Sequence, residues 1–207
     1  MADPLTLYTN PQSRGRIARW MLEEIGAPYE TIVLDYGTTM KAPDYLAINP
    51  MGKVPAIKHG DVVVTECAAV CAYLADAFPQ ANLAPAATDK NRGPYYRWLF
   101  FAAGPFEAMV TNKSLGVQVS AEKAGFVGYG TGAEVLDVIE KAVADNEYLL
   151  GARFSAADVY VGAQIGFGLQ FGSIEKRPAF EAYYARLASR PAAIRANELD
   201  NALMPKG

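Results

Sequence analysis

Leu5-Thr6-Leu7-Tyr8 puts apolar side chains at alternate positions over four residues and reads as a short buried strand. Directly after it the period changes. Ile17, Trp20, Met21 and Ile25 recur at helical spacing until Gly26, a residue type that commonly ends a helix. Tyr29 to Leu34 then reads as a second strand, and a strand-helix-strand unit of this size favours parallel pairing through a right-handed crossover. Val54 to Lys58 and Val62 to Thr65 flank His59-Gly60-Asp61, which predicts a tight hairpin with His59 exposed in its turn. Cys67 to Ala77 is a compact apolar helix, so the first part of the chain reads β-α-β, then β-β-α.

From Phe78 to Ala87 the chain turns to Pro79, Asn82, Pro85 and small residues, the composition of a connector. Beyond it the pattern is helical throughout. Arg92 to Val110 is rich in aromatics, Ala133 to Tyr148 has helical periodicity, and Ser155 to Phe171 opens with a capping signature. Pro178 to Ser189 and Pro191 to Leu203 each place proline at a helix start, where its missing amide hydrogen costs least. The expected organisation is an α/β domain over 1–80, a linker over 81–90 and an all-helical domain over 91–207. Within the helical part, Phe154-Ser155-Ala156-Ala157-Asp158-Val159 reads as a capping box with an apolar staple, a feature of stability. Gly162-x-x-x-Gly166 reads as close helix packing, because Gln164 and Gln170 interrupt an apolar stretch too short for a membrane.

A chain of 207 residues has room for two such units. Its net charge of -3, with no cluster of Lys and Arg, argues against nucleic acid or an anionic membrane surface as the main partner. Met1-Ala2-Asp3-Pro4-Leu5 shows no basic region or signal-length apolar run, so a cytoplasmic location is expected. Cys67 and Cys71, four apart, match neither a redox Cys-x-x-Cys nor a metal-ligand spacing, and no disulfide or metal site is expected. Gly125 to Gly132 lacks both a preceding strand and the Gly-Lys-Ser/Thr of a phosphate loop, and is read as a mobile segment.

The candidate chemistry centres on Asn49-Pro50-Met51-Gly52-Lys53-Val54-Pro55-Ala56-Ile57. Proline cannot donate to a sheet ladder, so Pro55 at the entry to a strand exposes the backbone of Val54 to a ligand. An extended peptide could pair with that edge while the amides opening the helix at Cys67 receive an anionic group. Together these features describe a small-peptide site.

This architecture and these motifs resemble the cytosolic glutathione transferase family, whose fold is a thioredoxin-like N-terminal domain followed by a helical domain. The resemblance spans nearly the whole chain and is carried by Asn49-Pro50-x-Gly52-Lys53-Val54-Pro55-Ala56, by Thr65-Glu66 before a helix, and by Ala72-Tyr73-Leu74-Ala75. It implies a homodimeric detoxification enzyme with glutathione as co-substrate and a small hydrophobic electrophile as the second substrate. It also implies a cis Pro55, a Val54 backbone paired with the cysteine of glutathione, and Glu66 and Cys67 holding the γ-glutamyl end. Lys41 and Lys53 match positions that approach the glycine carboxylate. The family usually has Ser where this chain has Cys67, which keeps the backbone amide but exchanges a strong hydroxyl donor for a weak thiol.

Such an enzyme needs the thiolate of glutathione, and lowering a thiol pKa of about 8.5 by about two units takes roughly 2.7 kcal/mol. One donor to a charged acceptor supplies about 1.5–3 kcal/mol. Ser13 resembles the serine of serine-type transferases and sits near a helix N-terminus whose dipole also favours an anion. Tyr8 and Asn10 are weaker candidates, as is Arg14. Phe101, Phe106 and Met109, with Trp98 and Pro105, are expected to line an apolar pocket for the electrophile. Two other readings compete: a glutathione-dependent disulfide reductase or peroxidase relying on Cys67, and a non-catalytic binding protein on the same fold.

Overall fold

The computed structural model describes residues 3–204; Met1 and Ala2, which open the segment read for targeting signals, lie outside them, as do 205–207 of the expected helical domain. The chain forms two compact units, Met1–Asn82 with Ser189–Gly207, and Leu83–Ala188.

The first unit follows the order β1 (Leu5–Thr9), α1 (Gly15–Ile25), β2 (Glu30–Val33), α2 (Pro43–Leu46), β3 (Ala56–His59), β4 (Val62–Thr65) and α3 (Cys67–Ala77). Its strands form one sheet in the order β2-β1-β3-β4, with β1 and β2 parallel and the other pairs antiparallel. The register places Tyr8 beside Ala56 and Ala56 beside Thr65. The carboxyl end of β1, the amino end of β3 and the carboxyl end of β4 therefore share one end of the sheet, and the three segments that carry the candidate chemistry start or finish there. Leu5, Leu7 and Thr9 are buried on one face of β1, while Tyr8 on the other face packs on Leu34, Met40, Tyr45 and Ala56.

The structure moves two features from where the sequence put them. His59 is the last residue of β3 rather than part of the turn, and it is half-buried. Its Nδ1 lies 3.0 Å from the Tyr73 hydroxyl and its ring stacks on Phe78 at 5.3 Å. The last helix, α9 (Pro191–Ala202), packs on α1 in the first unit instead of staying with the other C-terminal helices. A buried Arg19–Asp200 pair at 2.7 Å joins the two helices, and the Arg19 guanidinium also donates to Tyr29 and Thr31. Arg190 holds Glu24 through two bonds of 2.7 and 2.8 Å, and Arg195 holds Glu23 at 2.7 Å.

In the second unit α4 (Arg92–Phe101) runs through a π turn, Ala102–Phe106, into α5 (Glu107–Ser114). Pro105 lies within that turn, where its missing N–H removes a bond that a regular helix would need. This continuous path reaches Ser114, beyond the Val110 expected from the pattern. It is followed by α6 (Gly132–Ala144), α7 (Ala156–Phe171) and α8 (Pro178–Ala188). The α6 helix stops before Tyr148, which instead forms an isolated β-bridge with Gly151. Close packing of α7 on α8 explains the paired glycines: a Cβ on Gly162 would lie 2.2 Å from Leu187, and one on Gly166 would lie 2.3 Å from the Tyr184 ring. Among the described residues no helix is long and apolar enough to cross a membrane.

Candidate glutathione site

The loop before β3 is built by its own side chains. Asn49 accepts the amide of Met51 on Oδ1 at 3.1 Å, an Asx turn. Its Nδ2 donates to the Lys53 carbonyl at 2.8 Å, and the Tyr45 hydroxyl donates to that same carbonyl at 2.5 Å. Burial pushes the Tyr45 pKa up to about 12, so it remains a donor at any physiological pH. Gly52 has φ of 57°, and a Cβ there would lie 2.6 Å from the Met40 carbonyl oxygen, so the turn admits only glycine. Lys41 donates from Nζ to the carbonyls of Met51 and Gly52 at 3.0 and 2.9 Å, closing the loop from the other side. Lys53 is exposed.

This framework delivers Val54, half-buried, to a cis peptide bond with Pro55. Neither the amide nor the carbonyl of Val54 has a backbone partner among the described residues. At the adjacent end of β4, Glu66 takes φ of 65° and ψ of 120° and caps α3. A side-chain-bearing residue at positive φ is strained, and such outliers cluster at ligand sites. Glu66 is exposed, and its carbonyl accepts the Val70 amide at 2.8 Å.

Cys67 opens α3 as a buried thiol whose Sγ donates to the Arg14 carbonyl at 3.4 Å. That contact ties the start of α3 to the loop between β1 and α1. Cys71 is fully buried, and burial pushes its pKa up to about 12, which keeps it an unreactive thiol. Both cysteines are free.

Ser13 is half-buried in the loop that enters α1. Its hydroxyl donates to the Asn10 carbonyl at 2.6 Å and accepts the Gly15 amide at 2.9 Å. Gly15 is required here, since a Cβ would lie 1.9 Å from Thr9 Oγ1. Asn10 is buried and has both ends of its amide engaged, Nδ2 on the Leu34 carbonyl at 2.8 Å and Oδ1 on the Gln12 amide at 2.9 Å. Tyr8 packs its ring 5.6 Å from that of Tyr45. Ser13, Val54, Glu66 and Cys67 thus come to one end of the sheet, with Lys53 on the loop leading to it and Lys41 bonded to that loop from the turn before α2.

The residues expected to hold an electrophile differ in exposure. Phe106, the last residue of the π turn, has no exposed surface and belongs to the core of the second unit. Phe101 is partly exposed beside Trp98, with ring centroids 5.6 Å apart, and the Arg97 guanidinium lies over both rings. Met109 borders a cavity of about 320 Å³ that Val117, Val119 and Tyr129 also line. Among the described residues no group of three His, Cys, Asp or Glu side chains comes together to hold a metal ion. Sequence reasoning missed the Glu66 backbone and the carbonyl-holding roles of Tyr45 and Asn49. The Asn-Pro-x-Gly spacing was the available signal for Asn49, since Asn before Pro favours an Asx turn.

A thioredoxin-like unit with this loop, together with a helical unit, defines the class. The Glutathione S-transferase, N-terminal domain family matches residues 3–76, and the Glutathione S-transferase, C-terminal domain family matches 130–191. Glutathione S-transferase 3 of Zea mays is 30% identical over 91% of this chain and 91% of its own length. A glutathione transferase from Methylococcus capsulatus superposes with a TM-score of 0.79 at 29% identity, covering 96% of this chain and 99% of that one. A sphingomonad glutathione S-transferase solved with glutathione superposes at 0.77 with 28% identity, covering 95% and 98%. The chain belongs to the glutathione S-transferase family and is a glutathione transferase.

Proposed function

We propose that this transferase binds glutathione extended along Val54, ionises its thiol with Ser13 and transfers the sulfur to a small apolar electrophile. The observation that carries the reading is the unpaired backbone of Val54, one donor and one acceptor beside the sheet end, which matches the two backbone groups of a cysteine residue in an extended tripeptide. The sphingomonad relative, solved with glutathione, supports the choice of peptide. The first-turn amides of α3 would receive the γ-glutamyl carboxylate, and Glu66 its ammonium. Lys53 would face the glycine carboxylate, with Lys41 fixing the loop that presents it.

Ser13 is preferred over its rivals on geometry. Its proton rests on a neutral carbonyl, and turning to a thiolate exchanges that bond for a stronger, charge-assisted one. Asn10 is fixed in place by its bonds to Leu34 and Gln12, and Tyr8 is packed against Tyr45. The thiol gives its proton to solvent; the sulfur lone pair then attacks the electrophilic carbon, forming the C–S bond while the leaving group departs with its own bonding pair. Phe101 and Met109 are the side chains proposed for the electrophile, and by the same reading the protein acts in the cytoplasm as a homodimer.

Ser13→Ala tests the assignment. The pKa of bound glutathione, read from thiolate absorbance against pH, should rise by about one to two units, with a matching loss of conjugation near neutral pH and little change in glutathione affinity. An unchanged titration would remove Ser13 from the mechanism.

A further inference from the structure

The loop that carries Ser13 is held from behind by the last helix. The Arg16 guanidinium donates from Nε to the Pro11 carbonyl at 2.6 Å, while Nη2 donates to Asn201 Oδ1 at 2.7 Å and Nη1 to Asn197 Oδ1 at 3.4 Å. One planar fork therefore spans the loop and α9. Asn197 and Asn201 are four apart and so present their amides on one helical face. The Pro11 carbonyl follows directly on the Asn10 carbonyl, which accepts both the Ser13 amide at 3.1 Å and the Ser13 hydroxyl at 2.6 Å. The Arg16 amide in turn donates to the Ser13 carbonyl at 3.3 Å. A shift of the Pro11 peptide thus moves the carbonyl that decides where the Ser13 proton points.

We propose that Arg16 is a positioning residue through which α9 sets the ionisation of the bound thiol. This rests on Ser13 being the group that favours the thiolate. Arg16 acts by its geometry: a lysine carries the same charge but cannot bridge a carbonyl and two amides in one plane. The ladder of ion pairs elsewhere between α1 and α9 holds the helix in place, whereas Arg16 also grips the loop.

The test titrates the thiolate absorbance of glutathione bound to four variants, a readout that does not depend on which electrophile is used. Asn197→Ala/Asn201→Ala leaves Arg16 and its charge intact and should raise the midpoint by about half a unit, a roughly threefold smaller thiolate fraction below it. Arg16→Lys should raise it at least as far. Arg195→Ala removes the Glu23 pair on the same interface and should leave the midpoint where it is. A midpoint raised by Ser13→Ala but not by the double variant overturns the coupling and leaves the Ser13 assignment standing. A midpoint raised by the double variant but not by Ser13→Ala removes Ser13 and, with it, the positioning role proposed for Arg16. A shift in Arg195→Ala as large as in the double variant means general loosening of α9, and the proposal fails.

Discussion

Glu66 holds its side chain at positive φ while standing at the mouth of the proposed γ-glutamyl site, and these two facts pull in opposite directions. The backbone geometry costs on the order of 1–3 kcal/mol for a residue with a Cβ. Glycine would adopt it freely, at an entropic cost of about 0.5–1 kcal/mol. Glu66→Gly should therefore melt at the wild-type temperature or above it while binding glutathione more weakly, and Glu66→Gln should lose affinity with little gain in stability. Paired thermal melts and glutathione titrations check both. At this scale the sequence was legible where a residue type has few alternative uses: proline at the entry to β3, glycine at 52, asparagine before proline. Glu66 was not legible, because no local rule favours a left-handed glutamate, and the conformation comes from joining β4 to α3. His59 was misplaced for a similar reason, since Tyr73 and Phe78, which half-bury it, lie outside its hairpin.

Two helices of the second unit open with the same device in different surroundings. Thr131 and Glu134 form a capping box at the start of α6 that is exposed to solvent. Ser155 and Asp158 form one at the start of α7 that is buried. Asp158 accepts from the Ser155 amide and hydroxyl on one oxygen, and from the Leu149 amide and Tyr183 hydroxyl at 2.8 Å each on the other. Burial pushes its pKa up and these four donors oppose that shift. Asp158→Ala would leave all four donors unpaired and should cost about 3–5 kcal/mol in chemical unfolding. Thr131→Ala should cost far less. The Thr131 hydroxyl and amide lower the Glu134 pKa, so this box stabilises α6 above the unfolded carboxylate pKa and loses that contribution as pH falls through the folded value. Glu134→Gln should abolish this acid-side component, seen as convergence of the two melting curves at low pH. The pattern of caps was readable because they are short-range; the π turn at Pro105 was not, since a helical aromatic run reads the same with or without one extra residue in a turn.

The first unit draws on both ends of the chain, and the charge pattern of α1 gave no hint of it. Arg16, Arg19, Glu23 and Glu24 each meet a residue from 190 to 201. Side chains that look surface-exposed in sequence can be an interface when their partners lie far away in the chain. Removing the segment from Ser189 onward would leave the Arg19 charge in its buried position without Asp200, and should abolish the cooperative unfolding of the first unit. Asp200→Asn should cost about 3–5 kcal/mol, the penalty of breaking one side of a buried pair. Circular dichroism melts of the two proteins check this.

The same arrangement bears on how the protein is made. A ribosome releases β1 to α3 first, but α9 emerges only after the whole of Leu83–Ala188 has followed. At about 5–20 residues per second, the nascent thioredoxin-like unit waits on the order of 5–20 s for its final helix, with Arg19 uncovered in the meantime. A stalled or prematurely ended translation product thus carries the loop proposed for glutathione without α9 behind it, and becomes a natural client for chaperones or proteases.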